Sequence, residues 1–143
     1  MAQNPSQRII PYLLYEDVIL ALAWLSAVGF REHLRHTTEQ GVVGHAEARL
    51  GDAVIMLGHP GPDYESPYHH GRVSDVTVVY VDDVEAHFAY AKEMGAAVLD
   101  EPEDRPYGDR SYRLQDPEGH HWEFAQRVRD VAPEAWGAVT AEA

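Results

Sequence analysis

"YEDVILALAWLSAVGF" (15–30) and "VDDVEAHFAYAKEMGA" (81–96) are two copies of one pattern, and reading them together decides the fold. Laid over each other at an offset of 66 residues, they match Asp17 with Asp83, Val18 with Val84, Leu22 with Phe88, Ala23 with Ala89, Trp24 with Tyr90 and Gly29 with Gly95. Each copy begins with an aspartate, whose side chain can accept a hydrogen bond from the open amides of a helix N-terminus. Each closes on a glycine, which reaches the left-handed conformation that stops a helix. The pattern predicts a helix in each copy, and a repeated unit of this length predicts a duplicated module.

Three strand candidates follow each helix. After Gly29 come "FREHLRHT" (30–37), "VVGHAEARL" (42–50) and "AVIMLGH" (53–59), separated by the turn signals "TEQG" and "GD". After Gly95 come "AAVLD" (96–100), "RSYRLQD" (110–116) and "HHWEFAQ" (120–126), separated by a proline-rich loop and by "DPEG". With an apolar strand ahead of each helix, each module reads βαβββ. The expected organisation is a first module over 8–59, a Pro/Gly-rich linker over 60–72 and a second module over 73–126. A C-terminal tail over 127–143 adds a short helix started by Pro133, with Trp136 as its anchor, the whole forming one structural domain.

The chain has 143 residues, no cysteine and a formal net charge of -13. Without cysteine there are no disulfides, thiolate nucleophiles or zinc ribbons. The negative charge opposes nucleic acid and anionic membranes, and suits a cationic ligand. No glycine-rich phosphate loop or nucleophile-elbow serine is present. The N-terminal "MAQNPSQRII" has no signal-peptide pattern, so a cytoplasmic location is expected. "VILALAWLSAV" (18–28) is apolar almost throughout but about half the length a membrane span requires. It predicts a helix covered on its outer side, either by the tail or, as we expect, by the second subunit of a homodimer.

Alternation along the strands separates two faces. His45, Glu47 and Arg49 share one face of their strand, opposite Ala46, Ala48 and Leu50. His121, Glu123 and Ala125 share one face of the last strand, opposite His120, Trp122 and Phe124. The large apolar set belongs under the helix, leaving His121 and Glu123 on the other side, where water or a ligand satisfies them. They are candidates for metal-free acid–base work, with a carboxylate held by a Tyr or Arg as the bland alternative. Tyr12 and Tyr80 are expected as counterparts on the two first strands, placed to hydrogen-bond or to stack on a flat ligand. His69–His70 is expected in a lid or surface turn, and His33, His36, His59 and His87 at the surface or rim.

The paired βαβββ pattern, the Asp-Val helix starts, "GDAVIML" (51–57) and "DPEGHHWEF" (116–124) resemble the vicinal oxygen chelate superfamily. That group includes glyoxalase I, extradiol dioxygenases, fosfomycin-modifying enzymes and bleomycin-resistance proteins. The resemblance implies an α+β fold in which two modules form a curved eight-stranded mixed sheet around a ligand cavity. It places the metal positions of the metal-dependent members at Ile10, Met56, Val76 and Glu123, where only Glu123 is a metal donor. A displaced set from His45, Glu47, His121 and Glu123 is the alternative. A catalytic divalent ion needs about three or four hard donors.

No metal or other cofactor is therefore expected. The expected function is metal-independent binding of a small hydrophobic, aromatic or cationic molecule, as in drug or toxic-metabolite sequestration. The expected lining is Tyr12, His45, Glu47, Met56, Val76, Val78, Tyr80, His121 and Glu123. The competing expectation is a glyoxalase-like lyase or isomerase using Glu123 with a displaced metal site or by metal-free acid–base catalysis.

Overall fold

The computed structural model describes residues 7–141; the first residues, on which part of the leader reading rests, lie outside it. Both aspartates cap their helices as the repeat predicts. Asp17 accepts from the Leu20 amide at the start of α1 (Val18–Ala27), and Asp83 accepts from Ala86 at the start of α2 (Val84–Glu93). Gly29 and Gly95 follow the two helix ends with positive φ.

The strands form two sheets with one topology. In the first, β1 (Tyr12–Leu14), β4 (Ala53–Gly58), β3 (Val43–Leu50) and β2 (Arg31–Thr37) lie in that order. In the second, β5 (Thr77–Tyr80), β8 (His121–Arg127), β7 (Asp109–Gln115) and β6 (Ala97–Asp104) repeat it. The first pair of each sheet is parallel and the others are antiparallel. This is the expected α+β architecture of two βαβββ modules.

One compact unit runs to Ser74 and includes Asp116–His120; the other holds Asp75–Gln115 and the chain from His121. The turn joining β7 to β8 thus belongs to the first unit.

In the first unit, α1 packs on β2 and β3, and Ala46, Ala48 and Leu57 are fully buried. The helix is not buried all round. Val18, Ala21, Leu22 and Leu25 go inward, whereas Ile19 and Leu20 are 51% and 47% exposed. In the second unit, α2 packs on β6, β7 and β8, with Trp122, Phe124, Tyr112 and Leu114 fully buried. Removing an aromatic ring of this kind typically costs about 3–5 kcal/mol.

Three expectations change. The proline-rich loop after "AAVLD" is largely strand: β6 continues through Pro102 to Asp104. It is an edge strand with two irregularities in its register, the setting in which a residue without an N–H is tolerated. His87 is not a rim residue. Its ring stacks on Phe124 at 4.3 Å and its Nδ1 is hydrogen-bonded to the Tyr112 hydroxyl. Finally, Tyr12 and Tyr80 are not counterparts. Tyr12 lies opposite Met56 and Val78 lies opposite Glu123, so Val78 is the counterpart of Tyr12, while Tyr80, opposite Ala125, corresponds to Leu14, opposite Gly58.

The tail forms a 3-10 turn at Pro133–Trp136, and the Trp136 ring meets Tyr107 edge-on at 5.7 Å. No described helix is long and apolar enough to cross a membrane.

Candidate functional site

"DPEGH" (116–120), the turn that leads into β8, is occupied by structural bonds within the first unit. Asp116 Oδ1 accepts from the amides of Glu118 and His120, and Oδ2 accepts from the Tyr15 hydroxyl at 2.7 Å. Burial, then the Asp116 carboxylate, raise the Tyr15 phenol well above its ordinary pKa. Glu118 accepts from the amides of Glu16 and Asp17 at 2.7 and 2.8 Å, satisfying backbone at the entrance to α1. His120 precedes β8; its Nε2 donates to the Leu14 carbonyl at 2.8 Å and its ring meets Tyr15 edge-on.

The predicted linker is held in the same region. A single 3-10 turn, Pro67–His69, sits between Ser66 and His70. The Glu16 carboxylate accepts from the Ser66 amide and hydroxyl and from His69 Nε2. These Ser66 bonds chiefly lower the Glu16 pKa. His70 lies 3.7 Å from Glu65, and His59 Nδ1 is 3.2 Å from the Tyr15 carbonyl.

The face of the first sheet opposite α1 gathers four expected lining residues. Tyr12 is opposite Met56, and Met56 is opposite Glu47. Tyr12 Oη lies 3.0 Å from His45 Nδ1, and His45 Nε2 lies 3.5 Å from Glu47 Oε2. Glu47 is buried, His45 is half-buried and Tyr12 is 52% exposed, so the chain of groups rises from the sheet to its surface. Gly58, opposite His45, makes this possible. A Cβ there would stand 2.7 Å from Tyr12 Cε1 and 2.8 Å from Tyr12 Oη, so the phenol ring lies on bare backbone.

In the second sheet, Glu123 has Val78 on one side and Arg113 on the other. Glu123 is buried, and Arg113 Nε donates to its Oε1 at 2.9 Å. The register opposing Gln115 to His121 across the turn also opposes Arg113 to Glu123, so Arg113 is the arginine in the alternative of a carboxylate held by a Tyr or Arg. Val76 precedes β5, and His121 begins β8 half-buried. Tyr107 has its phenol pKa raised by burial first and by Glu123 next. Tyr80 donates to buried Asp109 at 2.6 Å, and Arg127 donates to the other oxygen of that carboxylate. The Asp109 bond is the main reason the Tyr80 pKa is raised.

A profile of the glyoxalase/bleomycin resistance protein/dioxygenase superfamily matches residues 13–124. The chain belongs to that superfamily. It is 31% identical over 137 residues to the uncharacterized protein Rv0887c of Mycobacterium tuberculosis, covering 92% of this chain and 81% of that one. It is also 31% identical to the solved structure of TioX from Micromonospora sp. ML1, with a TM-score of 0.67, covering 88% of this chain and 100% of that one. A bleomycin-binding protein complexed with bleomycin shares the fold at 20% identity and a TM-score of 0.63, over 85% of this chain and 98% of that one.

The superfamily's metal-dependent members imply a divalent ion, and the residues here do not fit one. Of the four corresponding positions, Ile10, Val76 and Met56 supply hydrocarbon and a thioether, neither a hard donor. The fourth, Glu123, already accepts from Arg113. Among the described residues, no three His, Asp or Glu side chains are grouped to hold an ion.

Proposed function

We propose that this protein binds a small, partly aromatic or apolar molecule without a metal ion, as a sequestering protein does. The carrying observation is the state of Glu123: the single donor at the superfamily's metal positions is buried in an ion pair with Arg113, and its three counterparts are Ile10, Met56 and Val76. A carboxylate so engaged serves as a polar anchor, and Val78, opposite it on β5, suits contact with a ligand. In this reading Tyr12, His45, Glu47 and Met56 are the ligand-contacting residues of the first unit, and Val76, Tyr80 and His121 join Val78 and Glu123 as those of the second. The bleomycin-binding protein supports it as a relative of the same fold that holds a drug. The protein acts in the cytoplasm as a homodimer, the second copy covering Ile19 and Leu20 of α1.

Calorimetric titration in excess EDTA tests the reading, using bleomycin and a panel of planar aromatic cations. Saturable binding to the metal-stripped protein is expected. Binding that requires a restored divalent ion would overturn it.

A further inference from the structure

Resting on the reading of this protein as a small-molecule binder, we infer that Tyr12, His45 and Glu47 form a subsite that recognises an N–H donor, a primary ammonium group, on an aromatic ligand. The polarity of the chain of groups carries the argument. A carboxylate only accepts, so at Glu47 it orients the His45 tautomer with hydrogen on Nε2, 3.5 Å away. Nδ1 then carries a lone pair, and the Tyr12 hydroxyl donates to it at 3.0 Å. Its single proton committed inward, the phenol oxygen presents only lone pairs outward, on a side chain that is half exposed. What it can bind is a donor.

Charge selects among donors. The Glu47 carboxylate stands behind the imidazole, and the whole chain carries a net charge of -13, so a cationic N–H is favoured over a neutral hydroxyl. Charge-assisted hydrogen bonds are about twice as strong as neutral ones. Met56, half-buried opposite both Tyr12 and Glu47, offers its thioether and methyl to the ligand's ring. Gly58 holds the phenol in place by its lack of a side chain. An alanine there needs no unusual backbone conformation, and the clash it creates falls on the mobile end of an exposed side chain. Gly58→Ala therefore dislodges the phenol while every polar group remains.

The test compares probes that share a ring system: 2-naphthylmethylammonium, its N,N,N-trimethyl analogue, which keeps the charge but has no N–H, and neutral 2-methylnaphthalene. Affinities are measured by NMR titration at pH 8 while following the His45 ring signals. The primary ammonium is expected to bind about tenfold tighter than the trimethyl form, the worth of one charge-assisted bond, and to shift His45. The preference should fall to roughly twofold or less in both Tyr12→Phe and Gly58→Ala, since each removes that one bond. Equal affinity for the two cations, or a preference that survives Tyr12→Phe, overturns the subsite. If the neutral probe binds and the ammonium gains nothing, the subsite fails and the binding function stands. If none of the three binds, both fail.

Discussion

Tyr15 and the two acids of the 116–120 turn illustrate how bonding partners decide what a residue does. The oxygens of Asp116 and Glu118 are directed at the Tyr15 hydroxyl and at four backbone amides. Replacing Glu118 by alanine leaves two amides at the entrance to α1 without their acceptor. A loss of about 2 kcal/mol in urea denaturation is expected, with Glu118→Gln losing less. Tyr15 supplies a pH dependence. Its folded pKa lies well above the unfolded value near 10, so folding favours the protonated phenol. That contribution is fully present below about pH 10 and declines above it. Ultraviolet titration should show the buried tyrosines, Tyr15 and Tyr112, ionising only as the fold melts, with that late step smaller by one tyrosine in Tyr15→Phe. At this scale the sequence was a partial guide. The alternation of His121, Glu123 and Ala125 is local and was legible. The bond from Glu118 to residues about a hundred positions earlier has no local signal, because loop closure over that distance leaves no periodicity.

The repeat carries most of the information at the scale of elements. The helices, their aspartate caps and their glycine ends were legible because each depends on a few neighbouring residues. The extent of β6 was not, since the proline signal for a loop is overridden where an edge strand leaves that amide unpaired. The equivalence of Tyr12 and Tyr80 failed although the repeat's own offset of 66 pairs Tyr12 with Val78: a slip of two residues preserves alternation and so leaves no mismatch to reveal it. The β7–β8 turn offers a direct test. Gly119 has a φ of 95°, and an added Cβ would stand 2.5 Å from the Tyr68 amide nitrogen. Backbone strain and backbone contact act together there. Gly119→Ala should cost more than the roughly 1 kcal/mol of strain alone, read as a lowered Tm, and should broaden the Tyr68 and Ser66 amide signals.

For the whole molecule, the two uncovered residues of α1 and the make-up of the superfamily's metal positions lead to separate expectations. If a second copy covers Ile19 and Leu20, sedimentation at micromolar concentration gives a dimer, and Leu20→Asp gives a monomer by burying an unpaired charge in the contact. A species of 16.0 kDa from the unmodified protein would contradict this. The metal independence proposed above rests on donor chemistry: one carboxylate, bound to Arg113, among an isoleucine, a methionine and a valine. Elemental analysis of untagged protein, with Glu123→Ala alongside, tests it most directly. The account predicts no stoichiometric divalent ion in either protein, including after incubation with zinc, nickel or manganese. One equivalent of a divalent ion in the unmodified protein, lost in Glu123→Ala, would contradict it.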